Sequence, residues 1–143
     1  MDEQDEQKIA AKAIIINKEG NVLIIKRSNK DTHRPGIWDI PGGHIKHGEP
    51  VIEGLKRELC EELGIDIQMR NQFGMHSFEK EDGYNDVMFV YLCTTEDDTP
   101  KLNQKYCEFE WVNDNGDFSK LHYDYSKEFR AYENFFKAGL WYH

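Results

Sequence analysis

The chain has 143 residues, of which 38% are apolar and 31% charged, and a formal net charge of −9. That length suits one domain with one core, and no apolar run reaches the roughly 20 residues a membrane-spanning helix needs. The acidic balance supplies no basic stripe for long nucleic acid, so an anionic ligand would be a small one, bridged to protein carboxylates by a divalent cation.

Met1 to Lys8 is polar and acidic and does not read as a signal peptide, so a cytoplasmic protein is expected. Residues 1–7 read as a disordered segment and 8–143 as a single domain. Ile9 to Asn17 and Val22 to Arg27 are isoleucine-rich runs separated by Lys18-Glu19-Gly20-Asn21, which predicts a hairpin. Ser28 to Gly36 reads as a loop. Ile37 to Ile40 is a short strand candidate closed by Pro41-Gly42-Gly43. From Pro50 to Leu63, Val51, Leu55, Leu59 and Leu63 repeat at helical spacing, with Pro50 in the first turn and Gly64 as the stop. Ile65 to Met69, Phe73 to Phe78, Asp86 to Thr94 and Tyr106 to Val112 are strand candidates. Glu96 to Pro100 and Asn113 to Asp117 read as turns, and Tyr125 to Ala138 as a second helix. The order predicts an α/β fold, a mixed sheet with helices on its faces. The three cysteines, Cys60, Cys93 and Cys107, are spaced too widely for a metal pair or disulfide framework and read as buried thiols.

The chemistry concentrates between Gly43 and Ile65. Glu58, Glu61 and Glu62 lie at i, i+3 and i+4, which puts three carboxylates on one side of the helix. Hard oxygen donors clustered in this way suit Mg²⁺ or Mn²⁺, whereas a solvated acidic face is the ordinary alternative for the triplet alone. Gly42 and Gly43 form a tight loop ahead of the helix, where backbone can approach a metal or a phosphate. Glu49 sits at the helix start, favoured there by the dipole. Arg57 points about 100° away from Glu58 around the helix and has Glu49 or a loop carbonyl within reach.

Gly43, Glu49, Arg57-Glu58-Leu59, Glu61-Glu62, Gly64 and Ile65 together resemble the signature of the Nudix hydrolase family at every fixed position. Seven specified residue types at ordinary usage give a chance match of about 10⁻⁸ per window. Trp38 to Gly43 is similar to the stretch that precedes the signature in MutT-type members. The resemblance implies a Nudix α/β/α sandwich over nearly the whole chain. It implies Glu61 and Glu62 as metal ligands, with the Gly42 carbonyl as a further one, and Glu58 as a ligand or the general base. Arg57 would orient a catalytic glutamate, Glu49 would hold the loop–helix geometry or a metal-bound water, and Gly64 would be structural. Arg27 resembles a phosphate-side arginine, and Gly43 would lie against the substrate. Glu108 stands where some members carry an extra metal-binding or base glutamate.

The implied activity is metal-dependent hydrolysis of a nucleoside diphosphate linked to another group, with a small phosphorylated nucleotide as partner. A nucleoside triphosphate is favoured by the short single domain and the Trp38 to Gly43 stretch, and a nucleotide sugar or ADP-ribose is the alternative. Homodimers are common in the family. An isopentenyl-diphosphate isomerase, which shares the fold, would need a cysteine beside the Gly-His pair, and Gly42 stands there instead. A non-catalytic sensor domain would have lost glutamates that this chain keeps. His44 and His47 read as loop residues rather than ligands. Phe78, Tyr84, Tyr123 and Tyr125 are candidates to stack a nucleobase, against a plainer role in core or rim.

Overall fold

The structure, a computed structural model, describes residues 7–32, 34–79, 85–113, 118–122 and 125. Its strands are β1 (Ile9–Ile16), β2 (Val22–Arg27), β3 (Trp38–Asp39), β4 (Gly42–His44), β5 (Gln68–Glu79), β6 (Asn85–Thr94) and β7 (Tyr106–Val112); its helix is α1 (Val51–Leu63). They form one mixed sheet in the order β3-β2-β1-β6-β5, with β4 added beside β1 and β7 beside β2. Among the described residues, no helix is long and apolar enough to cross a membrane.

Strand β1 runs through the core with both faces covered, which is why it reads as an unbroken apolar run. Ala11, Ala13 and Ile15 face one cluster with Leu55, Leu59 and Leu63 of α1. Ile14 and Ile16 face the other, with Ile24, Ile40, Val90, Leu92 and Tyr125. Along one edge β1 pairs in parallel with β6, from Ile9↔Val87 to Ile16↔Thr94. Its other edge is divided. Ala10, Lys12 and their neighbour pair with β4 through His44 to Gly42, and Ile16 alone pairs with Val22 of β2. The expected hairpin is therefore a hairpin only at its tip, because β4 occupies the far end of the same edge. Strand β2 instead runs along β7.

The helix begins and ends as its sequence predicts. Pro50 is the N-cap, and Gly64 closes the helix in the left-handed conformation at φ 60°, its N–H donating to the Cys60 carbonyl. The two strand candidates at 65–69 and 73–78 are one strand, β5, with register shifts at Met69/Asn71 and Gln72/Gly74. Gly42 and Gly43, read as a loop, are paired residues of β4. The candidate helix 125–138 lies outside the described residues except for Tyr125, as does 114–117 of the last turn. Of the cysteines only Cys93 is buried, its thiol pushed up to about 12 by burial; Cys60 and Cys107 are exposed. The expectation of three buried thiols fails because Cys60 falls on the outer side of α1 and Cys107 at a register shift in β7.

Candidate active site

Arg57 is the hub of the signature. Its Nε and one terminal nitrogen donate to both carboxylate oxygens of Glu49, at 2.8 and 3.1 Å. The other terminal nitrogen donates to Glu58 at 3.1 Å and reaches Glu61 at 3.4 Å. A further contact at 3.4 Å goes to the His44 carbonyl. Both partners anticipated for Arg57, Glu49 and a loop carbonyl, are thus engaged. The paired, planar geometry is one that arginine supplies and lysine does not. The Arg57 hydrogen bonds, followed by the Lys46 N–H, hold Glu49 down at about 2, and the contacts with Glu49 and then Glu58 raise the guanidinium pKa.

The three signature carboxylates of α1 lie at three depths. Glu61 is half exposed at its side chain and leans on Arg57. Glu58 is largely covered, at 13% exposure, between Arg57 and Gly43. Glu62 is buried, at 2% exposure. Its Oε2 accepts from the Gly42 N–H at 3.2 Å and its Oε1 from the Tyr106 hydroxyl at 3.1 Å. Burial raises the Glu62 carboxyl to about 7, against the pull of Lys12 and the Gly42 N–H, and nearby Glu58 pushes in the same direction as burial. Among the described residues, no three histidine, cysteine or acidic side chains converge into a ready-made metal cage. Mg²⁺ does not require one, since it commonly takes one or two carboxylates and fills its shell with waters and substrate phosphates. A buried carboxylate beside a second one, both hard oxygen donors, fits such a cation.

Two glycines make this packing possible. A Cβ on Gly42, at φ 137°, would stand 2.1 Å from the Ala11 carbonyl oxygen. A Cβ on Gly43 would stand 2.6 Å from Glu58 Oε2. Any side chain at Gly43 would displace the carboxylate.

A cavity of about 870 Å³ opens beside these residues. Glu58 and Glu62 line it, and so do Lys8, Lys12, Arg27, Arg34 and Lys105. Five basic side chains thus share this space with Glu58, Glu62, Asp39 and Asp86, and the basic ones suit a phosphate-bearing ligand. Arg27 is within the lining, anchored by Asp31 at 3.2 Å, with its guanidinium 5.6 Å from the Tyr106 ring centre. Glu108 is not in the lining. The register shift between Lys26 and Arg27 sets Tyr106 opposite Arg27 and Glu108 opposite Lys26, where it forms an exposed ion pair at 3.5 Å. Glu61 also stays outside the lining, on the Arg57 side.

His44 lines the cavity, its pKa lowered first by partial burial and then by Lys8 and Lys12; His47 lies on the exposed loop beyond. Tyr125 lines the cavity too, but with its hydroxyl on Asp39 at 2.7 Å and 2% exposure it is a buttress. Tyr84, Tyr123 and the Phe78 side chain lie outside the described residues. Sequence reasoning missed Lys12, Asp39 and Tyr106, all buried in the cavity wall. The available signal was Lys12 itself, a lone charge inside an apolar strand.

Comparison with known proteins agrees with this geometry. Residues 6–125 match the NUDIX domain family. The chain is 27% identical over 121 residues to the nucleoside triphosphatase NudI of Escherichia coli K12, covering 77% of this chain and 83% of that protein. It is 42% identical over 57 residues to an 8-oxo-dGTP diphosphatase of Proteus vulgaris, a match spanning 40% of this chain and half of that protein. Among solved structures, the MutT protein of Methanosarcina mazei Go1 superposes with a TM-score of 0.72 at 27% identity, covering 94% of this chain and 96% of the other. A C. elegans Ap4A hydrolase shares the fold at a TM-score of 0.73 and 20% identity, over 93% and 99% of the two chains. With the family model matching residues 6–125 and Gly43, Glu58 and Glu62 of the signature lining the cavity, the chain belongs to the Nudix hydrolase family.

Proposed function

We propose that this Nudix enzyme is a Mg²⁺-dependent nucleoside triphosphate pyrophosphohydrolase, releasing a nucleoside monophosphate and pyrophosphate. One observation carries the reading: a single cavity has the α1 carboxylates Glu58 and Glu62 in the same wall as Lys12, Arg27, Arg34 and Lys105. The activities of the NudI nucleoside triphosphatase and of the 8-oxo-dGTP diphosphatase relative point to the same substrate class.

Glu58 and Glu62, the two α1 carboxylates in the cavity wall, would hold Mg²⁺, or Mn²⁺ in its place, with the Gly42 carbonyl as a further donor and Glu61 turned aside to Arg57. When bound, the cation neutralises phosphate charge and makes water a better nucleophile. Arg57 holds Glu49 and Glu58 in fixed orientation, and Glu58 serves as a ligand or takes the proton of the attacking water. Arg27, Arg34 and Lys105 bind phosphate oxygens. Water adds to phosphorus, the phosphoanhydride P–O bond breaks, and the pyrophosphate carries away the bonding pair. No serine or cysteine nucleophile is needed.

The test is a metal-supplemented screen of nucleoside triphosphates, nucleotide sugars, ADP-ribose, dinucleoside polyphosphates and isopentenyl diphosphate, ranked by kcat/KM. The expected result is a triphosphate in first place, with pyrophosphate as product. A nucleotide sugar or ADP-ribose in first place, or isomerisation of isopentenyl diphosphate, would overturn the substrate assignment.

A further inference from the structure

Lys12 is an unusual residue for the middle of a core strand. It is 8% exposed, on the face of β1 whose next residues, Ile14 and Ile16, are fully buried. An ammonium in such a place needs partners. Its direct partners are the Asp39 carboxylate at 3.3 Å and the Ile40 carbonyl at 3.4 Å. Asp39 is itself buried, and its other oxygen accepts from the Tyr125 hydroxyl and from the Ile40 N–H at 2.8 Å. The pair is therefore braced from behind. A lysine ammonium has three N–H donors; one donates to the Ile40 carbonyl, the Asp39 contact is an ion pair, and the side chain lines the cavity. Beside it stands the apolar pair Ala10 and Met88, matched across β1 and β6. Its main chain pairs with Gly42, next to the α1 carboxylates.

A buried ion pair is a costly way to stabilise a strand, since apolar residues of like size often do as well or better. Retaining one in the wall of a binding cavity has a use if the cation meets the ligand there. We propose that Lys12 is a substrate-binding residue, which donates an N–H to an acceptor oxygen of the bound nucleotide while Asp39 and Tyr125 fix its direction. The proposal rests on the nucleotide-hydrolase reading above. The acceptor chemistry is shared by a phosphate oxygen and a base carbonyl, and the two are separable by experiment.

The experiment measures binding by calorimetry, with Mg²⁺ present and without turnover. The probes are α,β-methylene triphosphates of guanosine, cytidine, uridine and adenosine, together with inorganic tripolyphosphate. Wild type is compared with Lys12→Met and with the double variant Lys12→Met/Asp39→Asn, which leaves no unpaired buried carboxylate to disturb folding. Affinity in both variants is expected to fall by about tenfold or more, as for loss of a charged hydrogen bond. Lys12 also acts electrostatically on Glu62, so Mn²⁺ affinity, read by electron paramagnetic resonance in the double variant, is expected to change, but by less than nucleotide affinity does. A loss common to every probe assigns the acceptor to phosphate, and a loss that spares adenosine, whose base has no carbonyl, assigns it to the base. Unchanged nucleotide affinity in the double variant overturns the proposal. So does a parallel loss of Mn²⁺ and nucleotide affinity, the mark of a purely structural role, or the absence of probe binding by wild type. Failure of wild type to hydrolyse ordinary triphosphates would instead count against the function reading and leave the binding comparison intact.

Discussion

The Tyr106 hydroxyl donates to Glu62 at 3.1 Å, joining β7 to α1 across 44 residues of sequence. The same ring lies under the Arg27 guanidinium at 5.6 Å. One buried tyrosine thus touches both a signature carboxylate and a cation of the cavity wall. Tyr106→Phe keeps the ring and removes the hydroxyl. It is expected to cost on the order of 1–2 kcal/mol of stability, the range for a buried acceptor that loses one of two donors. Mn²⁺ affinity should fall several-fold. Chemical denaturation and metal titration read the two effects separately.

The Glu49–Arg57 pair makes a prediction about pH. Glu49 is held at about 2 in the folded protein, below its ordinary value of 4.5. A folded-state pKa below the unfolded one means the unfolded chain binds more protons between these values, so stability from this group rises with pH there. The contribution is complete above about 4.5 and fades as pH falls toward 2. Glu49→Gln should therefore lower the melting temperature at pH 7, and the difference from wild type should shrink steadily below pH 4.5. The pair is partly exposed, so added salt should also reduce the difference in part. A constant difference from pH 7 to pH 3 would contradict the assignment.

Gly43 tests the packing at the mouth of the site. A Cβ there would lie 2.6 Å from Glu58 Oε2, at the end of a side chain that Arg57 also holds. Gly43→Ala should leave the fold intact, because a carboxylate end can shift by a fraction of an ångström. It should lower kcat by about 10²-fold, the scale for a misplaced reacting group, with a smaller change in KM. Steady-state kinetics on the best triphosphate checks this.

Much of the site was legible because its spacing is rigid. In a helix, Arg57, Glu58, Glu61 and Glu62 have fixed angular relations, and Pro50 and Gly64 mark the ends. The depth of each carboxylate was not legible. Whether a helical side is buried or exposed depends on what packs there, and Tyr106, which covers Glu62, comes from β7. The Lys12–Asp39–Tyr125 group was likewise hidden, since it joins residues 27 and 86 positions apart through the sheet. Strand edges were the least legible part. A local signal predicted β1 pairing with β2 along its length, yet β4 and β6 compete for the same edges through long-range pairing. Glu108 shows how one register shift decides a side chain's destination, because it turns that glutamate to Lys26 and away from the cavity.

The proposed role of a cation held by the α1 carboxylates is to drive hydrolysis of a triphosphate in this cavity. It is tested most directly by Mg²⁺-dependent pyrophosphate release, comparing wild type with Glu62→Gln, which keeps the shape of the buried side chain and removes its charge. Wild-type activity is expected to disappear in EDTA and return with Mg²⁺, and Glu62→Gln is expected to lose at least about 100-fold in kcat/KM while remaining folded. Wild-type turnover that persists in EDTA, or a Glu62→Gln enzyme as active as wild type, would contradict it.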